Sequence, residues 1–335
     1  MLMKTKIMIF VFAGIFLLSI IPVTGSTAEV KNYIFGSGPM GGPWRIGVGA
    51  GVQTLNEQLK EKYSFTAAAS GGSVENVRRM IAGEYHTSWA HVNNMYDAWN
   101  GVGLFEGQKP FKEMRVLEYL VDQAINITTL AKSPIKNLID LSGKKVNIGP
   151  AGSGGVPIAR AIFKALGIID KVKIVNVSFE AGAQALKDGQ IDVSMIPGGP
   201  YVSPAIVEIS RSVIVRIVEP TLEEAKKVES EVSYLYLSVI PPNKSVGESA
   251  DKEKKALFWS LYWIALASMP DEVVYDILKV TQEPKNKEVL GKILNYWLTC
   301  GPEFSSLAKM GIPLHPGAVK FWKEKGVKIP AELIK

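Results

Sequence analysis

Apolar and polar positions along the chain alternate between strand-like and helix-like periods, and the whole alternation occurs twice. The strand NYIF runs into the small-residue stretch 36–43. A helix over residues 44–59 is then predicted by Ile46, Val48, Val52, Leu55 and Leu59, which recur at helical spacing. SFTAAAS supplies a second strand, Gly71-Gly72-Ser73 a second turn, and another helix follows. There Ser73 is expected to cap the helix by accepting from the amide of Asn76. From KKVNI onward the order recurs: strand, glycine-rich run 149–155, a helix over 156–166 stopped by Gly167, the strand KIVNVSF, the turn Glu180-Ala181-Gly182 and a further helix. The closing helices of both copies end alike, on Gly83 and Gly189, each followed by polar residues and a new strand.

Between and after the copies the pattern turns β-rich. RVLEYLV and INITTLA, beyond Met114, read as the first crossing from one copy to the other, and YLYLSVI as the return. Pro197-Gly198-Gly199-Pro200-Tyr201 forms one more turn at a strand end. From Asp251 the chain is expected to be helical, with 256–269 a buried helix because it is apolar nearly all round and too short to span a bilayer. These elements predict an α/β chain of two lobes, 29–122 with 236–335 and 123–235, joined by two crossing strands. The strand ends would face each other across a ligand-sized cleft.

Composition narrows the class. The 335 residues, 47% apolar and 21% charged, are enough to bury two cores and exclude an intrinsically disordered chain. Lys4 and Lys6 precede an uncharged run, so residues 1–28 read as a secretory signal, with an uncleaved anchor as the alternative; either places the globular part outside the cytoplasm. Cys300 is the only cysteine, which excludes an intramolecular disulfide and a thiolate metal site. The net charge of +6 falls to about +4 without the two leader lysines. That excess suits an anionic solute and, with no dense basic block, argues against nucleic acid.

The candidate chemistry is that of binding. Gly36-Ser-Gly-Pro-Met-Gly41 satisfies G-x-G-x-x-G, but the next strand ends in Ser70 where a dinucleotide fold needs an acid, and no P-loop is present, so no cofactor is expected. The glycine turns have a more general meaning: they let backbone approach a ligand, and the first amides of the following helices donate to an anion. For Gly71 and Gly198 a plain tight connection is the expected role. Trp44 and Tyr201, each just after a glycine-proline turn, are the aromatics expected to wall the cleft, and Arg45 is expected to face solvent. His86, His91 and His315 lack zinc-protease spacing and are expected to be satisfied polar neighbours, with no metal site. No nucleophile elbow occurs, so no enzyme is expected.

Four segments carry a family likeness: Gly36-Ser-Gly with Gly41-Gly42; Gly72-Ser-Val-Glu-Asn76; Asp140-Leu-Ser-Gly-Lys-Lys-Val146 with Gly152-Ser153-Gly154; and Asp188-Gly-Gln-Ile-Asp192 with Gly199-Pro200. His315-Pro-Gly-Ala318 and Glu324-Lys-Gly-Val327 add a closing segment. Across nearly its whole length beyond the leader the chain resembles the TAXI-type solute-binding proteins of TRAP transporters. The resemblance implies a periplasmic-binding fold of type II character. It also implies an extracytoplasmic receptor that takes a glutamate- or 2-oxoglutarate-like carboxylate and hands it to a TRAP-type membrane permease. In that reading Ser37, Gly38, Met40, Gly41 and Trp44 face Ser153, Gly154, Gly199 and Tyr201, while Ser70, Gly72, Ser73 and Asn76 complete the first lobe. Pro43 and Gly155 stand where similar proteins place hydroxyl residues, so two expected ligand hydroxyls are missing and the resemblance does not fix the exact solute. The other readings are an ABC-type receptor for an anion such as a sulfonate, and a periplasmic sensor partner or enzyme on the same fold.

Overall fold

The structure, a computed structural model, describes residues 30–40 and 42–334; the leader expected over 1–28, and Gly41 among the candidate site residues, lie outside the described residues. Each half opens with the same βαβαβ unit. In the first, β1 (Lys31–Gly36), α1 (Pro43–Leu59), β2 (Tyr63–Ala68), α2 (Ser73–Ile81) and β3 (Thr87–His91) lead into α3 (Val92–Asn100). The long β4 (Met114–Leu130) crosses to the second unit: β5 (Lys145–Asn147), α4 (Gly155–Ala165), β6 (Lys173–Val175), α5 (Phe179–Lys187) and β7 (Val193–Pro197). α6 (Pro204–Ser210), β8 (Val215–Ile217), α7 (Leu222–Glu231) and β9 (Tyr236–Ile240) follow. β10 (Lys254–Leu266) then runs back, and α8 (Asp271–Thr281), α9 (Pro284–Ile293), α10 (Tyr296–Thr299), α11 (Ser305–Met310) and α12 (Pro316–Glu324) end the chain.

The strands form one sheet in the order β2-β1-β3-β10-β4-β7-β5-β6. Read inward from either edge, each half is three parallel strands followed by a long antiparallel one, β10 beside β3 and β4 beside β7. The repeat seen in the sequence is therefore a repeat of topology. Parallel strands put their carboxyl ends, and the glycine turns after them, on one edge of each half, where ligands bind in such sheets.

The return crossing corrects two expectations. Residues 256–269 do not form a helix: most of that stretch is the strand β10, paired with β4 from Phe258↔Ala124 to Leu266↔Met114. YLYLSVI is not the crossing but a short strand, β9, laid against the first part of β10. Phe258 to Ala265 are all buried, because neighbouring strands flank β10 while helices cover its faces. A strand buried on both faces shows no alternation of polar and apolar positions, and its continuous apolar run mimics a buried helix. Two register shifts in the β4–β10 pairing, at Leu261/Tyr262 and Trp263/Ile264, break the ladder's regularity where β10 also pairs with β3 in the first lobe.

The core is divided on the two sides of this ladder. The first lobe is built on Phe35, Trp89, Trp263 and Trp297, with Phe35 stacked on Trp263 at 4.8 Å, and it also receives α8 to α12. The second holds Ile127, Val146, Ile162, Phe163 and Val193, with Trp259 of β10 packed against it. Each such fully buried side chain contributes about 1.5–3 kcal/mol.

Candidate functional site

The first lobe's turns are held by their own side chains. Ser37 donates from its backbone N–H (2.8 Å) and its hydroxyl (2.6 Å) to the Ala68 carbonyl, tying the end of β1 to the end of β2. Arg45 reaches back from α1 to the Ala67 carbonyl (2.9 Å) and Ser37 Oγ (3.3 Å), so it is half-buried against its own lobe instead of facing solvent as expected. Asn76 donates to the carbonyls of Ser37 (2.8 Å) and Trp89 (2.9 Å), holding β1 to β3 where the strands end. Ser73 does not cap α2. The N-cap is Gly72, at a φ of 115° that favours glycine, and no side chain caps it. Ser73 Oγ instead accepts from the His91 N–H (2.9 Å) and Asn94 Nδ2 (2.9 Å), fastening the start of α2 to the start of α3.

The second lobe presents residues 149–155 against these turns. Gly152 lies against Gly71, where an added Cβ would sit 3.4 Å from the opposing Cα, and Ser153 lies beside Gly72. An added Cβ on Gly154 would run into His91 Nδ1 and stand 3.1 Å from Asn94 Nδ2. Nearer the hinge, Gly199 abuts the hydroxyl of Tyr296 on α10. The lobes thus touch along a seam of glycines, closed over a cavity of about 60 Å³. α1, α2 and α4 direct their N-termini at it, from Gly42, Gly72 and Gly154, and none has a side-chain cap. Amides left without side-chain partners at a helix start, together with the helix dipole, favour an anion.

Among the described residues no Lys, Arg, Asp or Glu lines this cavity, and its titratable side chains are His91 and Tyr296. Gln123 on β4 joins them. Its Nε2 donates to the Gly198 carbonyl (2.8 Å) and the Tyr296 hydroxyl (2.6 Å), and its Oε1 meets His91 Nε2 at 2.6 Å. A carbonyl such as Gly198 can only accept, which fixes the orientation of the Gln123 amide. Oε1 must then accept from His91, so the imidazole carries its proton on Nε2. Burial pulls the His91 pKa down to about 3, against a smaller opposing pull from Gln123, and burial pushes Tyr296 well above its usual value. Both rings are neutral near pH 7. His91 is stacked on Trp259 at 3.7 Å and 9°, with Trp44 at 4.9 Å.

Of the residues singled out from sequence, Trp44, Gly72, Ser73, Ser153, Gly154 and Gly199 line the cavity. Ser37, Ser70 and Asn76 are buried: both hydroxyls and the Asn76 Nδ2 donate to backbone carbonyls, Ser70 to that of Ser37 (3.1 Å) while accepting from the Gly72 N–H (3.1 Å), and Asn76 Oδ1 has no partner among the described residues. Gly38 lies against Trp44, outside the cavity wall, and Met40 is 78% exposed. Tyr201 packs its ring in a cluster with Ala124, Ile240 and Phe258 beside the hinge, and Tyr296 takes the place at the cavity that Tyr201 was expected to fill. Gly71 and Gly198, read as plain connections, line the cavity too, as do His91, Gln123, Phe179 and Ser203. His91 is only half satisfied, since Nδ1 has no hydrogen-bond partner among the described residues.

With this geometry in view, residues 35–326 match the NMT1-like family. The chain belongs to the NMT1-like family. A structure described as a periplasmic transporter aligns over 89% of this chain and 95% of its own, at 16% identity and a TM-score of 0.52. The aliphatic sulphonate-binding protein SsuA of Escherichia coli aligns over 90% and 96%, at 13% identity and 0.46. A putative L-cystine ABC transporter protein of Listeria monocytogenes aligns over 79% and 96%, at 15% and 0.47. The likeness to the periplasmic transporter is one of fold, and the two-lobe α/β architecture expected from the sequence is the one this NMT1-like chain has. The match is to the family at large and names no TAXI-type branch. Among the described residues no helix is long and apolar enough to cross a membrane.

Proposed function

We propose that this protein is an extracytoplasmic solute receptor that closes its two lobes on one small anion and passes it to a membrane permease. The observation that carries the reading is the closed seam: three uncapped helix N-termini from both lobes meet at one small cavity that no charged side chain enters. Backbone amides would hold the anionic head, and Trp44, Phe179 and Pro197 its apolar body. A pair of neutral rings, with no nucleophile beside a base, supports binding without turnover.

Charge refines the solute. Among the described residues no Lys or Arg lines the cavity to meet a second carboxylate. That favours a monocarboxylate or sulfonate over a glutamate- or 2-oxoglutarate-like solute. The permease remains one of two kinds. The TRAP-type partner rests on the TAXI resemblance, and an ABC-type anion receptor stands beside it with the same fold.

The reading is tested with protein refolded to remove carried-over solute and titrated with small carboxylates and sulfonates in a scattering cell. One class of anion is expected to bind at one site, unchanged, and to make the particle more compact. Compaction with none of them would overturn the proposal. Uptake into vesicles then separates the partners, since an ABC permease needs ATP and a TRAP permease an ion gradient.

A further inference from the structure

The polar side chains around the cavity are committed to the protein or sealed, with one exception. Ser73 Oγ accepts from the His91 N–H and Asn94 Nδ2, and the Gln123 amide is shared among His91, Gly198 and Tyr296. His91 Nδ1 is covered by Gly154 of the opposite lobe, and Ser153 Oγ is turned onto its own loop, 3.1 Å from where a Cβ on Gly149 would stand. Ser203 differs. It lines the cavity at 4% exposure, and among the described residues its hydroxyl has no hydrogen-bond partner. Unlike Ser153 Oγ, that hydroxyl is not sealed off. A serine at a helix start ordinarily turns its hydroxyl onto the helix's own amides. The start of α6 does not use it, because the Ser203 carbonyl already accepts from the N–H groups of Ile206 (3.0 Å) and Val207 (3.0 Å). The Ser203 N–H donates to Asn126 Oδ1 on β4 (2.6 Å), and Asn126 Nδ2 donates to the Tyr201 carbonyl (2.6 Å). The backbone is thus pinned from both sides while the hydroxyl is left to the cavity, and a buried polar group without a partner calls for an explanation in function.

We propose that Ser203 Oγ donates a hydrogen bond to an oxygen of the bound anion, making Ser203 the side chain by which the second lobe holds the solute. This rests on the receptor reading above and adds a ligand-contacting residue to it. A hydroxyl can donate or accept, and toward an anion it donates. In a cavity that no Lys or Arg lines among the described residues, the anion depends on N–H and O–H donors, and a hydrogen bond to a charged oxygen is about twice as strong as one between neutral groups. The amides at the starts of α1 and α2 reach the solute from the first lobe and Ser203 reaches it from the second, so both sets of bonds form together only when the lobes are closed. Ser203 therefore adds to the difference in affinity between closed and open forms, which is what allows a solute to shift the lobes.

Calorimetric titration of wild type and Ser203→Ala with acetate, propionate, methanesulfonate and ethanesulfonate tests this. The probe that the wild type binds most tightly is expected to bind the variant at least about tenfold more weakly. The melting temperature of the unliganded variant is expected to match that of the wild type, because the hydroxyl removed bonds nothing in the protein; a serine that capped its helix would lose stability on the same change. A crystal structure of the wild type with that probe gives a readout that needs no variant: Ser203 Oγ should lie within about 3.2 Å of a probe oxygen. Equal binding by the two proteins, a lowered melting temperature of the unliganded variant, or an Oγ out of reach of every probe oxygen would overturn the inference and leave the receptor standing. No binding of any probe by the wild type would remove the small-anion receptor itself and the inference with it.

Discussion

At the scale of the residue, the closed state depends on Gly154 having no side chain. Its φ of −66° suits any residue, so Gly154→Ala should fold normally while its methyl group meets His91 and Asn94 across the seam. Ligand affinity is expected to fall by at least about tenfold, the cost of about 1.4 kcal/mol against closure, with the unfolding temperature of the unliganded protein unchanged. Asn76 makes the opposite case. Asn76→Ala would strip donors from two buried carbonyls, and urea unfolding should show a loss of about 1–3 kcal/mol. These two residues also show what was legible at this scale. The sequence places glycines and small polar residues together at strand ends, which marks the neighbourhood of the cavity. It does not tell which hydroxyls and amide N–H groups are consumed in satisfying splayed strand ends, as those of Ser37, Ser70 and Asn76 are, and which stay unpaired, as the Ser153 hydroxyl does among the described residues. His91 and Tyr296 could not be found from spacing, because they meet only through Gln123, from three separate elements.

At the scale of the element, the repeated βαβαβ units were readable because amphipathic helices and glycine stops have strong local signals. β10 was not, because burial on both faces erases the period that identifies a strand. Its identity as a ladder partner of β4 makes a prediction about dynamics. Hydrogen exchange should find the amides of residues 258–265 among the slowest, since they lie in the middle of the sheet under helices from the first lobe. On adding a bound solute their rates should hardly change, whereas those of residues 71–74 and 152–156 should slow markedly. Fast exchange in 258–265, or slowing spread evenly over both lobes, would contradict a hinge at the β4–β10 ladder.

At the scale of the whole molecule, two buried groups set opposite dependences on pH. His91 is held near a pKa of about 3, so below its usual 6.5 the unfolded chain takes up a proton that the folded one refuses; stability falls as pH drops from about 6.5 towards 3. Glu118, buried on β4, has its carboxyl pushed up to about 8 by burial, against the Lys287 charge and hydrogen bonds from Gln282 and Cys300. Here the folded chain keeps a proton that the unfolded one releases, and stability is lost as pH rises from about 4.5 to 8. Glu118→Gln should therefore raise the melting temperature at pH 8 and change it little at pH 4, and a melting series across pH checks both slopes. The closed, two-lobed receptor is the central claim, and a melting comparison of wild type with Gly154→Ala tests it most directly, using the same panel of small carboxylates and sulfonates. A solute at about 100 times its dissociation constant should stabilise the wild type by roughly 2.7 kcal/mol and give a clear upward shift, reduced to about half or less in the variant at the same concentration. Equal shifts in both proteins, or none in the wild type with any of these anions, would contradict a ligand held between the lobes.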